Sequence, residues 1–182
     1  MDLENRSQMP DLPEREESPF DEMVHRFEGQ YGRTREDMVR AFGEAGWQKC
    51  GHGKNGRVAA SPCGRYVVRV SGPDNGFDRH AELCQTHADN KHFPKVHAHR
   101  TLPDGSLVTV MEKLDVLPRE LHPQRDKLMT YVVFGEAHGL PRDLRDAADV
   151  IRAQKDIPRD LHGGDVMFRT SDRTLVIVDP YR

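Results

Sequence analysis

Apolar residues recur at helical spacing near the start of the chain. The stripe from Phe20 to Phe27 predicts a helix capped by Ser18, and a second helix is predicted to begin after Thr34 and to end before Gly46. Each stripe covers one side of its helix, so we expect both helices to pack against a common core.

Branched and alternating apolar residues predict strands in the next part of the chain. Residues 47–60 indicate two strands around a glycine-rich turn, and residues 65–70 indicate a third strand after a Ser-Pro-Cys-Gly turn. A helix is predicted over 78–88, followed by a hairpin over 93–111. Because short turns join successive strands, the pattern predicts an antiparallel five-stranded sheet with one packed helix.

The last third of the chain predicts two helices and a β-hairpin. The first helix covers residues 123–138, with Leu128, Val132 and Val133 turned towards the core. The second helix covers residues 142–154, and its inward positions are Leu144, Ala147, Ala148 and Ile151. The predicted fold class is α+β, with an antiparallel sheet lobe followed by a small helical lobe.

Composition divides the chain into four segments. Its 182 residues, 36% of them hydrophobic, suit one modest core. Residues 1–17 carry acids and prolines with little to bury, which predicts a flexible acidic tail. We assign the N-terminal helices to 18–46, the sheet lobe to 47–114 and the helical lobe to 115–182.

Charge and cysteine content exclude several classes of function. The net charge of −3 provides no basic excess for nucleic acid, and no apolar run is long enough to span a bilayer. The three cysteines are widely spaced, which fits reduced thiols in a cytoplasm better than disulfides or a zinc site. We therefore expect a cytoplasmic protein that acts on neither membranes nor nucleic acid.

Candidate chemistry is concentrated in the last part of the sequence. Asp160 is followed five residues later by Asp165, and an apolar segment then leads to Asp179. Carboxylate oxygens are ligands for hard cations such as Mg²⁺. Phosphoryl transfer needs such ligands together with a carboxylate close to the attacking hydroxyl. The three residues therefore predict a site for metal and phosphate.

A glycine-rich turn upstream offers the other half of such a site. Gly51, Gly53, Gly56 and Val58 match the pattern G-x-G-x-x-G-x-V between two predicted strands. Without a Cβ atom, glycines allow backbone N–H groups to approach the phosphates of a nucleotide. A glycine-rich hairpin tip with a purely structural role fits the same residues.

Other residues are placed to contact the nucleotide. Arg69, on the third predicted strand, could hold the phosphates and pair with Glu82 on the next helix. Lys54, in the glycine turn, could reach the phosphates instead or be an ordinary exposed lysine. Met111 and Glu112 end the fifth strand, where the backbone could bind adenine, and an edge strand entering a loop fits them equally.

The order of these motifs resembles the protein-kinase-like fold, and most closely the early-expressed protein kinase of podoviruses of the T-seven group. The resemblance covers roughly residues 40–181 and also extends to minimal kinase effectors of bacterial pathogens. The matching motifs are Ala45-Gly-Trp, Ala59-Ala-Ser-Pro, Arg69-Val, Ala81-Glu-Leu-Cys84, Phe93-Pro-Lys-Val96, Asp160-Leu-His-Gly-Gly-Asp-Val-Met-Phe168 and Val178-Asp-Pro180.

The resemblance implies ATP with Mg²⁺ or Mn²⁺ as cofactors, and Ser/Thr phosphorylation of host proteins early in infection. Typical targets would be the transcription and RNA-processing machinery of the host, in its cytoplasm. It implies that Asp160 is the catalytic base and that His162 stands where many kinases have a lysine facing the phosphates. It further implies that Asp165 and Asp179 hold the metal.

Three departures from the family pattern bear on activity. Arg69 replaces a lysine and is bulkier and planar, so the two are not interchangeable there. Asp165 replaces an asparagine but still offers oxygen ligands, and Pro158 replaces a histidine. The resemblance also implies a truncated lower lobe. Two functions therefore stay open: an active minimal kinase, and a pseudokinase that inhibits a host enzyme by binding to it.

Overall fold

The computed structural model describes residues 19–52, 56–73, 76–136 and 139–181, so the predicted acidic tail lies outside the described residues. The helices are α1 (Pro19–Tyr31), α2 (Arg35–Glu44), α3 (Phe77–Thr86), α4 (His122–Phe134) and α5 (Arg142–Arg152). The strands are β1 (Gln48–His52), β2 (Gly56–Ala60), β3 (Tyr66–Ser71), β4 (Val96–Thr101), β5 (Leu107–Glu112), β6 (Asp115–Val116), β7 (Val166–Arg169) and β8 (Thr174–Ile177). None of the helices described is long and apolar enough to cross a membrane.

The strands form two antiparallel sheets. The first has five strands in the order β1-β2-β3-β5-β4, and the second has three in the order β6-β7-β8. Strand side chains alternate between faces, so Val68 and Val70 of β3 lie buried on one face while Arg69 faces the other. The predicted α+β fold is confirmed, with the sheet lobe first and the helical lobe second.

Helices α1 and α2 cover the face of the first sheet that carries Val68 and Val70. Their apolar stripes, including Val24 and Phe42, join these valines in one buried cluster. The predicted cap of α2 is present, since the Thr34 hydroxyl accepts a hydrogen bond from the Asp37 N–H at 3.3 Å.

A second core joins α4, α5 and the second sheet to Leu83 and Cys84 of α3 and to Phe93 before β4. The four inward positions predicted for α5 are all fully buried, which confirms the helix and its orientation. The four positions lie on one side of the helix, and two of them are alanines, whose small side chains allow α5 to lie close to its neighbours. This packing places the chain that follows α5 at the boundary between the lobes.

The predicted extent of α4 was too long. The helix ends at Phe134 because Gly135 adopts a left-handed conformation (φ 88°), and its N–H donates to the Tyr131 carbonyl at 2.9 Å. Val133, predicted to face the core, is 43% exposed. Tyr131 is buried instead, so the apolar face of α4 is rotated relative to the prediction.

Strand β8 is bound to the segment preceding β4. The Ile177 N–H donates to the His92 carbonyl at 2.9 Å, and the His92 Nδ1 lies 2.8 Å from the Leu175 carbonyl. The buried His80 of α3 adds a hydrogen bond from Nε2 to the Ile177 carbonyl at 3.1 Å. These contacts fix the end of β8, and with it Asp179, beneath the five-stranded sheet.

Candidate functional site

Arg69 lies at the centre of the space between the two lobes. Its guanidinium carbon is 3.8 Å from the centre of the Phe77 ring, at the start of α3. Its Nη1 donates to the Asp179 Oδ2 at 2.7 Å, with the two side chains 16% and 25% exposed. The third strand of the first sheet is thus joined directly to the segment after β8, by a charge-assisted hydrogen bond.

Asp179 keeps one oxygen available. Its Oδ1 is buried and has no hydrogen-bond partner among the described residues. A buried carboxylate oxygen without a donor is costly, and a cation in contact with it would compensate for the lost hydration. The position therefore fits the metal-binding role predicted for Asp179.

Asp165 is held in a fixed orientation by the turn that precedes β7. Its Oδ2 accepts a hydrogen bond from the His162 backbone N–H at 2.7 Å and lies 2.7 Å from the His162 Nδ1. Its own carbonyl accepts from the Val178 N–H at 2.7 Å, so the turn is bound to the chain next to Asp179. Asp165 is only 7% exposed.

The three predicted carboxylates lie close enough to influence one another. Burial raises the pKa of Asp165 to about 6, against the lowering effect of His162. The negative charges of Asp179 and Asp160 contribute a smaller part of the same rise. The Asp160 N–H donates to the Pro180 carbonyl at 3.0 Å, which places the predicted catalytic loop alongside the segment that carries Asp179.

His162 contacts Asp165 and solvent. Its side chain is 68% exposed, and its Nδ1 is occupied by the Asp165 carboxylate. The predicted role opposite the phosphates stays a prediction, and in this arrangement His162 also orients the buried carboxylate.

The glycine-rich hairpin lies over Arg69. A Cβ atom at Gly56 would lie 3.2 Å from the Arg69 Nε, so the absence of a side chain allows the close approach of β2. A Cβ atom at Gly51 would lie 3.6 Å from the Val58 Cβ, an ordinary contact distance. The remaining residues predicted at this turn, Gly53 and Lys54, lie outside the described residues.

The expected pairing of Arg69 with Glu82 is not present. Glu82 is 56% exposed in its side chain and lies 3.5 Å from Arg79, one turn away on α3. The first turn of α3 occupies the space beside Arg69 with Phe77, so the arginine reaches across to Asp179 instead.

Asp78 is a residue of this region that the sequence analysis missed. Its Oδ1 is buried and has no hydrogen-bond partner in the described part of the chain. Asp78 lies four residues before Glu82 in α3, so both acids lie on the same face of the helix. Asp78 is the more buried of the two. The available signal was its position beside a buried phenylalanine in the first turn of the helix.

The residues predicted to contact adenine, Met111 and Glu112, make several contacts within the protein. Met111 is 7% exposed and packs with Phe77. The Glu112 carboxylate forms an ion pair with Arg169, and the Glu112 N–H donates to the Lys95 carbonyl at 3.0 Å. These contacts fix the end of β5, and the adenine contact stays a prediction.

In its present arrangement the site is closed by protein groups. Among the described residues, no set of three or more His, Cys, Asp or Glu side chains has the geometry of a metal centre. The reason is visible locally, since Asp179 contacts Arg69 and Asp165 contacts His162. Arg69 holds the Oδ2 of Asp179, so a cation between the two aspartates would contact the Oδ1 that has no partner among the described residues.

No protein-family model matches the sequence, and neither does any curated protein. Two solved structures with a similar chain path are protein kinases. The kinase PK-1 of the Cydia pomonella granulovirus has 14% identity and a TM-score of 0.44, with 80% of this chain and 58% of that one covered. The PknI kinase domain of Mycobacterium tuberculosis has 19% identity and a TM-score of 0.44, with 74% and 59% covered.

The chain spans less than three fifths of the length of each of these kinases. Its elements follow one another in the order of a sheet with an inserted helix, a helical lobe, a loop and a final hairpin. The finer resemblance to the early kinase of T-seven-group podoviruses stays a prediction.

Proposed function

We propose that the protein is a minimal ATP-dependent Ser/Thr protein kinase that modifies host proteins. The observation on which this depends is the grouping of Asp160, Asp165 and Asp179 beneath Arg69 and the glycine-rich hairpin. The negative charges of Asp160 and Asp179 contribute to the raised pKa of Asp165. Arg69 contacts Asp179 at 2.7 Å and lies directly under Gly56.

In this proposal each side chain has one task. Asp160 accepts the proton of the substrate hydroxyl as a general base. Asp165 and Asp179 would hold Mg²⁺ or Mn²⁺, which neutralises developing charge on the phosphates when bound. Arg69 turns from Asp179 towards the phosphates, where its fork of N–H donors can bind two oxygens. The backbone of the glycine-rich hairpin covers the nucleotide.

A second candidate function is supported by one observation, the ion pair between Arg69 and Asp179. If this pair persists in the presence of nucleotide, Arg69 stays on Asp179 and does not reach the phosphates, and the transfer proposed above is lost. The protein would then act as a pseudokinase that binds a host enzyme or complex, such as the transcription or RNA-processing machinery.

Phosphate transfer from labelled ATP tests the proposal. We expect the full chain with Mg²⁺ or Mn²⁺ to label itself or added Ser/Thr substrate proteins, and Asp179→Asn to abolish the label. Asp146→Asn is the matched control, since its side chain is 64% exposed on α5 and its ion-pair partner is the exposed Arg142.

A thermal-shift titration separates the alternatives. Binding to the folded state raises the melting temperature, so a shift with ATP and metal but no transfer supports the pseudokinase. A chain that neither shifts with ATP nor transfers phosphate would refute the kinase proposal, whereas the pseudokinase requires only binding to its host partner.

A further inference from the structure

Arg125 of α4 lies against the loop that carries the proposed catalytic base. A Cβ atom on Gly163 would lie 3.4 Å from the Arg125 Nη1 and 3.7 Å from the carbon of its guanidinium. Gly163 comes three residues after Asp160, so their Cα atoms are at most about 11 Å apart. The catalytic loop therefore has a cation beside it that the sequence analysis did not identify.

Hydrogen bonds fix this loop at both ends. The Asp160 N–H and the Asp165 carbonyl both bond to the segment 178–180, at 3.0 and 2.7 Å. Residues 162–164, between these two bonds, are exposed to solvent, and so is Asp160. A substrate hydroxyl reaches Asp160 from this exposed side, so the residues that flank the hydroxyl pass close to Arg125.

Asp126 already binds one side of the Arg125 guanidinium. Its Oδ1 accepts hydrogen bonds from the Arg125 Nε and Nη2, at 2.9 and 2.8 Å. The Arg125 side chain is 20% exposed, whereas that of Asp126 is 62% exposed, and an ion pair with such an exposed acid is weak. The Arg125 Nη1, which is the nitrogen nearest to Gly163, has no hydrogen bond within the described part of the chain. The guanidinium can therefore bind a second anion on the side of the loop.

The charges around the loop define which anion benefits most from Arg125. Asp160, Asp165 and Asp179 make this region negative, so an acidic side chain of a substrate is repelled there unless a cation faces it. Arginine offers a carboxylate several N–H donors in one plane. An extended peptide advances about 3.3 Å per residue, so an acid two or three residues from the target hydroxyl can reach Arg125.

We propose that Arg125 is a specificity-determining residue that binds a carboxylate two or three residues from the target Ser or Thr, so that acidic sequences are preferred. The transfer step rests on the proposed kinase function: the γ-phosphoryl group of ATP moves to the hydroxyl oxygen, ADP leaves, and Asp160 accepts the hydroxyl proton. Binding of the acidic peptide to Arg125 does not depend on transfer. Asp126 competes for the same guanidinium and weakens the preference.

Two matched peptides test the proposal. Each has one serine, with glutamate in one peptide and glutamine in the other at the second and third positions on both sides. A fluorescently labelled pair with alanine in place of the serine reports binding by anisotropy, without any transfer. Both pairs are measured with the full chain and with Arg125→Gln, Arg125→Lys and Asp126→Asn. Arg142→Gln is the control, since its side chain is 95% exposed on α5.

We expect the original chain to favour the glutamate peptide about fivefold, both in binding and in kcat/KM, at the upper end for a partly exposed ion pair. Arg125→Gln should lower this ratio to one or below, because the acid then faces the three carboxylates without a cation. Arg125→Lys should keep part of the ratio, because the charge remains and the planar fork is lost. Asp126→Asn should raise the ratio about twofold by releasing the guanidinium, a gain that damage to the fold cannot produce. Arg142→Gln should leave it unchanged.

A ratio near one in the original chain, or a ratio that Arg125→Gln does not change, would overturn the proposal. An equal loss of kcat/KM for both peptides in Arg125→Gln would show that Arg125 only supports the loop. A higher KM for ATP at an unchanged peptide ratio would assign Arg125 to the nucleotide phosphates, and either result also overturns the proposal. Absence of transfer to both serine peptides would count against the proposed kinase function alone, and binding of the alanine peptides would then decide the role of Arg125.

Discussion

The ion pair between Arg69 and Asp179 yields the sharpest stability prediction. We consider a double-mutant cycle of Arg69→Met, Asp179→Asn and their combination, measured without metal or nucleotide. Methionine keeps much of the arginine length and its contact with Phe77, while asparagine keeps an oxygen that can accept a hydrogen bond. The cycle therefore isolates the charge interaction across the cleft.

The expected magnitudes follow from the exposure of the two side chains. Removal of one partner of a fully buried pair costs roughly 3–5 kcal/mol. With 16% and 25% exposure, the pair is partly hydrated, and we expect Arg69→Met to cost about 2–3 kcal/mol. Asp179→Asn should cost less, about 1 kcal/mol, because it also removes a negative charge that raises the pKa of Asp165.

Urea unfolding followed by circular dichroism gives the four free energies of unfolding. We expect a coupling energy of about 1–2 kcal/mol between the two sites. Additivity within about 0.5 kcal/mol would show that the two charges do not stabilise the closed cleft. A larger loss for Asp179→Asn than for Arg69→Met would also contradict the reasoning, since Asp179 would then have further partners.

Two more predictions concern titratable groups other than the cleft carboxylates. Burial lowers the pKa of His80 from 6.5 to about 3, so the folded state keeps it neutral while the unfolded chain is protonated below about 6.5. The contribution of His80 to the free energy of unfolding is therefore fully present above that pH and is lost as the pH falls towards 3. His80→Gln should make the urea midpoint fall less steeply between about pH 7 and pH 5. An unchanged pH profile would argue against a buried neutral histidine. The Ser61 hydroxyl, followed by Arg65, lowers the pKa of Cys63 to about 7, whereas burial raises that of Cys50. Iodoacetamide should then alkylate Cys63 faster at neutral pH, as followed by peptide mass spectrometry; equal rates would show that the Ser61 contact does not stabilise the thiolate.

Local sequence patterns were sufficient where one residue type decides the structure. The Thr34 cap, the strand around Arg69 and the four buried positions of α5 follow from capping chemistry and periodicity alone. The grouping of Asp160 with Asp165 likewise reflects their short separation in sequence.

Partners that are distant in sequence were harder to predict. Arg69 and Asp179 are 110 residues apart, and no local pattern distinguishes Asp179 from Glu82 as the partner of the arginine. The choice depends on how deeply each acid lies once the lobes are packed. The end of α4 was missed because the left-handed turn at Gly135 stops the helix before the next obvious breaker at Gly139.

Arg169 has a consequence for how substrates enter the cleft. Its guanidinium is 6% exposed and binds the Glu112 carboxylate together with the carbonyls of Lys91 and Phe93, at 2.7 and 2.9 Å. Arg169, on β7 of the second sheet, thus connects the end of β5 to the loop that leads into β4. Rotation of the lobes as rigid bodies would break all of these bonds at once. In the proposed kinase function, a nucleotide would therefore enter through movement at the β1 edge, where β1 and β2 form the outermost hairpin of the sheet.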